Sequence, residues 1–210
     1  MNRLAVITCG PAYAPIDRVR RITNFATGEI GALLARELVA EGLQVVCFRG
    51  EGSTATGPAE GEVRLFTTNE SLARGLRSLP AQPSVIFHAA ALCDFEVAEI
   101  LGVEHCNKLS SRSEVLHLEL RPAPKLLPAM RGMFPGAKIV GWKYELDGTQ
   151  ADAIAKARLQ IDECQTDACV LNGSAYGSGF GLVLPRGGDI LNIPDKPTLA
   201  RELVRFFSPA

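Results

Sequence analysis

Val85-Ile86-Phe87-His88-Ala89-Ala90 is the stretch on which the reading of the chain turns. It is short and apolar, the signature of a strand buried on both faces of a parallel sheet. Working back toward the N-terminus, residues 63–67 read as a strand. Thr67-Thr68-Asn69-Glu70 then resembles a capping box, opening a helix that runs to about Leu79. Residues 44–48 and 3–8 read as two further strands. Between them, residues 27–41 form a helix with Ile30, Leu33, Leu34 and Leu38 on one face. Toward the C-terminus, residues 96–113 show no period and read as a long loop. Residues 115–120 alternate partially, as a strand. A short helix opened by prolines follows at 124–133, a strand at 138–144, a helix at 149–164 capped through Thr149 and Asp152, and a strand at 168–171. Residues 181–184 and 189–193 flank Pro185-Arg186-Gly187-Gly188 as a hairpin. Residues 196–207 close the chain as a helix capped by Asp195. The βαβαβ order predicts an α/β fold: a doubly wound, mostly parallel, Rossmann-like sheet, with the late hairpin as an excursion from it. Without a repeat, low-complexity tract or evident linker, residues 1–210 are expected to form one domain.

Composition narrows the function classes. The 210 residues carry a formal charge of −1, with no block of Lys or Arg, so nucleic-acid binding by bulk charge is not expected. The first apolar run is too short for a signal peptide, and no stretch has the length of a transmembrane helix. A cytoplasmic protein with no membrane partner is expected. The six cysteines (Cys9, Cys47, Cys93, Cys106, Cys164 and Cys169) include no CxxC pair. The three histidines form no constellation with them, so no metal-ligating residues are assigned. Reduced thiols in apolar surroundings are the expectation.

The first strand leads into Cys9-Gly10-Pro11, which is not GxGxxG. Glycines suited to a close backbone approach come later, in Asn24-Phe25-Ala26-Thr27-Gly28-Glu29-Ile30-Gly31 at a helix start. Free N–H groups there would suit an anion, and Gly31 would let the helix sit close to the sheet. On these glycines alone, phosphate binding and simple packing stand level.

Taken together the motifs resemble the phosphopantothenoylcysteine synthetase (phosphopantothenate–cysteine ligase) family, in its free-standing bacterial type. Gly10-Pro11, Pro15-Ile16-Asp17-Arg18-Val19-Arg20 and residues 24–31 are similar to its opening motif. Ala89-Ala90-Ala91-Leu92-Cys93-Asp94-Phe95 resembles its Ala-Ala-x-x-Asp-[Phe/Tyr] segment. Lys108-Leu109-Ser110-Ser111, Pro124-Lys125-Leu126-Leu127, Gly141-Trp142-Lys143-Tyr144-Glu145 and Leu171-Asn172 follow in the family's order. The resemblance implies nucleotide contacts at Gly10, Gly28, Gly31, Trp142 and Asn172. It implies phosphopantothenate contacts at Asn24, Ala90, Ala91 and Asp94, with Arg20 reaching the phosphate from the partner subunit of a homodimer. Asn24 and Lys108, the latter on a mobile loop, would be the catalytic residues. It further implies Mg2+, CTP (or ATP) as co-substrate, and cysteine as the second substrate. No flavin is expected, because no decarboxylase half precedes the motifs.

The chemistry agrees with those residue types. A carboxylate must meet the α-phosphate of a triphosphate, so cations and fixed N–H dipoles must offset the repulsion between anions. Asn24 offers both donor and acceptor atoms and can orient an acyl intermediate without trapping it. Four positions depart from the family pattern: Ala14 and Ala26 replace a frequent Glu and Ser, Glu29 puts a carboxylate at the helix start, and Gly173 replaces an Asp. A nucleotide- or phosphopantothenate-binding relative without activity is the alternative those departures keep open. An NAD(P)-dependent oxidoreductase is disfavoured by the missing GxGxxG, by Cys47-Phe48-Arg49 without an acidic ribose ligand, and by the lack of a Tyr-xxx-Lys pair.

Overall fold

The computed structural model describes residues 4–55, 60–102, 107–110, 115–185 and 188–208. Arg3, His105, Cys106 and Ser111, the stretches 103–106 and 111–114 of the expected loop, and Arg186-Gly187 of the hairpin turn lie outside them.

Six strands run parallel: β1 (Leu4–Cys9), β4 (Gln44–Gly50), β5 (Glu62–Phe66), β6 (Val85–His88), β9 (Lys138–Tyr144) and β10 (Ala168–Asn172). β11 (Phe180–Val183) and β12 (Leu191–Ile193) add two antiparallel strands at the edge, giving the order β12-β11-β10-β9-β6-β1-β4-β5. The late hairpin is thus a continuation of the main sheet and not an excursion from it. Helices cover both faces. α1 (Glu29–Ala40) and α5 (Lys196–Phe207) pack on one, around Ile7, Val45, Phe87, Val140 and Val170. On the other lie α2 (Asn69–Arg77) and α3 (Leu127–Met133), around Val6, Phe48, Ile86 and Ile139, and α4 (Gln150–Cys164), around Cys169 and Leu171. β6 is buried along its whole length, as its apolar run requires.

The helix starts follow local chemistry. Thr68 and Ser71 form a reciprocal capping box on α2, one residue later than the sequence pattern predicted, because the Ser71 hydroxyl and not Glu70 accepts from the Thr68 N–H. Thr149 and Asp152 do the same on α4. α1 has Gly28 at its N-cap with φ 81° and no side-chain cap.

Two small hairpins stand outside the sheet. β2 (Tyr13–Pro15) pairs with β3 (Arg21–Thr23), and β7 (Phe95–Ile100) with β8 (Leu118–Pro122). Residues 96–100 of the expected loop 96–113 therefore lie in a strand, and the expected strand 115–120 begins three residues later. β7 has no fully buried residue, so its alternation has no apolar face to report.

Candidate active site

Strand order reverses between β1 and β6, where the chain leaves toward β4 and β5 and returns on the other side. Ligands bind in α/β sheets at the C-terminal strand ends of such a switch point. Here the two segments stay joined past the strands. Ala91 N–H donates to Gly10 O at 3.0 Å, and Ala12 N–H donates to Ala91 O at 2.9 Å. Asn24 leans over this seam from the segment after β3, its Nδ2 donating to Leu92 O at 3.0 Å and to Ala91 O at 3.4 Å. Its Oδ1 has no partner among the described residues. Asp94 follows two residues on, with its side chain mostly exposed and 3.8 Å from Lys125 Nζ. The structure thus brings Gly10, Asn24, Ala90, Ala91 and Asp94 to one edge.

The glycines divide by role. A methyl group on Gly10 would fall 1.9 Å from Ser53 Oγ, and one on Gly28 would fall 2.8 Å from it. Both glycines have positive φ. The close approach they permit is therefore taken up by Ser53, whose Oγ is buried without a hydrogen-bond partner. Gly31 is buried against β1, where a methyl would lie 2.3 Å from Cys9 Sγ, so what it provides is tight helix–strand packing.

Arg20 and Lys108 hang on a common anchor. The Asp17 carboxylate accepts from Val19 N (2.7 Å), Arg20 N (2.6 Å), Arg20 Nη1 (2.7 Å) and Leu109 N (3.0 Å). The Leu109 N–H above all, with the other two amides and the guanidinium, holds its pKa down at about 2. Arg20 Nη1 also donates to Leu109 O at 3.3 Å, and Arg18 N to Asn107 O at 3.1 Å. Lys108 is exposed between these tethers, so its immediate neighbours are pinned to the turn that carries Arg20.

Beyond Asp94 a cleft of about 390 Å³ opens between β6, β9, α3 and α4. Its walls include Asn69, Lys125, Lys143, Lys156 and Gln160, and His88 lies at the end of β6 beneath it. None of these was assigned from sequence. Lys156 and Gln160 stand one helical turn apart on α4, a spacing that reads equally as a solvated helix face. Asn69 clamps Cys93 through both atoms of its amide, Nδ2 to Cys93 O (2.8 Å) and Cys93 N to Oδ1 (3.0 Å), which fixes the residue before Asp94. Glu145 bridges Lys143 and Lys156, and the Lys156 hydrogen bond is the main reason its pKa is lowered. Trp142 borders the cleft and its carbonyl accepts from Gln160, but it also packs against the core beneath α1 and α5. Asn172 ends β10, three strand spacings, roughly 14 Å, from β1. Among the described residues no group of three His, Cys, Asp or Glu is placed to hold a metal.

Two departures have structural reasons. Gly173 has φ 114°, and a side chain there would meet Glu145 O at 2.1 Å, so no Asp fits. Glu29 forms an ion pair with Lys196 at the start of α5, which offsets its charge beside the α1 N-terminus.

Residues 1–186 match the family model described as DNA/pantothenate metabolism flavoprotein C-terminal domain. The chain belongs to this family. It is similar to the coenzyme A biosynthesis bifunctional protein CoaBC of Thermococcus kodakarensis, with 31% identity over 90% of the chain and 46% of that relative. The chain spans about half the length of the curated relatives it matches. Among solved structures, the DNA/pantothenate metabolism flavoprotein from Streptococcus pneumoniae superposes with a TM-score of 0.84 at 20% identity, covering 97% of both chains. Cab2 mutant H337A in complex with phosphopantothenate-cysteine gives 0.75 at 20% identity, over 98% of this chain and 85% of that one. These superpositions show a shared doubly wound α/β fold. No helix among the described residues is long and apolar enough to cross a membrane.

Proposed function

We propose that the chain is a phosphopantothenate–cysteine ligase, acting as one domain in coenzyme A biosynthesis. The observation that carries this reading is the seam between β1 and β6, where Asn24 is held over the Ala91 and Leu92 carbonyls beside Asp94, in a chain of this family. In the first half-reaction a carboxylate oxygen of 4'-phosphopantothenate attacks the α-phosphorus of a nucleoside triphosphate, and pyrophosphate leaves. In the second, the amine of cysteine attacks the acyl carbon. The new C–N bond replaces the C–O bond to the nucleotide, which departs as the monophosphate, and the amine proton is lost to solvent.

Lys108 offsets the charge that builds on the α-phosphate. Asn24 orients the acyl-nucleotide through its free Oδ1. Asp94, Ala90 and Ala91 line the phosphopantothenate side. Gly10, Gly28 and the α1 start shape the nucleotide side, with Trp142 and Asn172 farther along the edge. Lys125, Lys143 and Lys156, paired at rest with Asp94 and Glu145, are the cations at hand for the phosphates of a polyanionic co-substrate. No protein ligands for Mg2+ are assigned among the described residues; brought in with the nucleotide, it would supply further charge neutralisation for the triphosphate. CTP is the co-substrate of this reading, ATP its alternative, and no flavin takes part.

A homodimer completes the site. Val19, Ile22, Phe25, Phe95, Leu101 and Leu120, on and beside the two small hairpins, are exposed large apolar residues of the kind that a partner subunit covers. Arg20, steadied by Asp17, would reach the partner's phosphopantothenate phosphate from this region. The test is pyrophosphate release with phosphopantothenate, cysteine and either CTP or ATP. Release that depends on phosphopantothenate supports the ligase; binding of both substrates without release overturns it in favour of a non-catalytic relative.

A further inference from the structure

His88 is a group in the cleft that the reaction as written leaves unused. It ends β6, is 6% exposed, and borders the cleft between Ala90 and the α3–α4 wall. Its Nδ1 lies 2.6 Å from Thr8 Oγ1 on the neighbouring strand, at the register pair Thr8–His88. Nε2 has no hydrogen-bond partner among the described residues, and it is not among the sealed, unsatisfied side-chain atoms. The open direction for it is the cleft.

The proton arrangement follows from what each group lacks. Thr8 is fully buried, and His88 is the partner its hydroxyl has among the described residues. Were Nδ1 protonated, the Thr8 O–H would be a buried donor without an acceptor, which is unfavourable. With Thr8 donating to Nδ1, only a hydroxyl lone pair goes unused. The single proton of the neutral ring then sits on Nε2. Burial keeps the ring neutral, with its pKa pushed down to about 4. Around it stand Lys125, Lys143 and Lys156, ion-paired with Asp94 and Glu145. His88 differs from all three: its donor is uncharged and fixed by strand geometry. An apolar residue would fill the same volume without leaving an N–H unpaired, so packing alone is a poor account of it.

We propose that His88, oriented by Thr8, presents its Nε2–H to the cleft and binds an uncharged carbonyl oxygen of the substrate held there. That oxygen belongs either to an amide of the pantothenoyl arm or to the nucleobase. The site discriminates by donor–acceptor sense: an amino group at that place would leave two donors facing each other. This inference rests on the ligase reading.

The test uses the full chain and steady-state pyrophosphate release, varying phosphopantothenate and nucleotide (CTP and ATP separately) one at a time. His88→Leu is expected to raise the KM of one of them by ~10-fold, the scale of one hydrogen bond, with kcat within about twofold. The substrate whose KM moves identifies the source of the oxygen. His88→Gln, whose amide N–H reaches the position of Nε2, recovers most of the loss. Thr8→Val, which frees the ring to place its proton on either nitrogen, gives a smaller rise that disappears in the His88→Leu background. Unchanged KM values for both substrates in His88→Leu and Thr8→Val, whatever the shift in Tm, overturn the proposal. If the parent chain releases no pyrophosphate, the ligase reading fails, and calorimetric titration of the parent and His88→Leu with phosphopantothenate and with CTP decides on His88 alone. Equal affinities of the two proteins overturn the contact, and weaker binding by the variant upholds it.

Discussion

At the scale of single residues, the proposed ligase mechanism assigns Asn24 and Lys108 to different half-reactions. Lys108→Ala is expected to form neither acyl-nucleotide nor product, whereas Asn24→Ala should form acyl-nucleotide and release little product. Each loss is on the order of 10²-fold, the scale for removing a transition-state stabiliser. Quenched flow with labelled nucleotide reads both species, and normal acyl-nucleotide in Lys108→Ala would contradict this division. His88 makes a prediction about pH. Its folded-state pKa, about 4, lies below the ordinary 6.5, so above pH 6.5 the ring is neutral in both states and costs nothing. As pH falls from 6.5 toward 4, the unfolded chain takes the proton first, and stability drops. Denaturant titrations at several pH values should lose on the order of 3 kcal/mol across that window, and His88→Asn should flatten the loss. An unchanged slope in the variant would assign the acid sensitivity elsewhere.

At the scale of elements, what could be read in advance tracked burial. β9 and α5 fall at the residues that period and capping indicated, because each has one face or its whole length in the core. β2 and β3 have three residues apiece, and β7 has no fully buried residue, so no apolar period marked them. The same rule held for the site. Asn24, Ala91 and Asp94, proposed for the site, lie in contiguous motifs that the resemblance picks out, and the fold brings them to one edge. Lys156 and Gln160 on α4, Asn69 on α2 and His88 on β6 come from three elements that only the fold assembles, and each looks ordinary alone. Asn69 shows how an element acts at a distance, since the first residue of α2 clamps the backbone before Asp94. Asn69→Ala removes both bonds. It should raise the KM for phosphopantothenate several-fold and cost about 1–3 kcal/mol of stability; Asn69→Asp, keeping only the acceptor, should fall between. A KM equal to the parent's in both variants would make the clamp purely structural.

At the scale of the whole molecule, Arg20 and Asn24 are expected to serve different active sites of one dimer. Light scattering should give about twice the 22.5 kDa chain mass. Arg20→Ala and Asn24→Ala should each be nearly inactive alone. Mixed in equal amounts after subunit exchange, they should recover activity from about a quarter of the sites, because half the dimers are mixed and each of those has one intact site. No recovery on mixing, with exchange verified, would place Arg20 in its own protomer's site.

The thiols are distributed so that the folded chain can report its own occupancy. Cys9, Cys47, Cys164 and Cys169 are buried, whereas Cys93 is half-buried on the cleft wall. Burial, aided by the neighbouring Asp94 charge, pushes the Cys93 thiol up from its usual range, so alkylation there should be slow near pH 7 and accelerate with alkali. In a Cys106→Ser background, a maleimide should mark Cys93 before any other described cysteine, and mass spectrometry would locate the adduct. Saturating nucleotide or phosphopantothenate should slow that mark by ~10-fold, the protection expected of a group that bound ligand covers. Rates indifferent to both ligands would show that neither reaches this wall; protection by one and not the other would map, with no mutation in the cleft itself, which substrate lies along it.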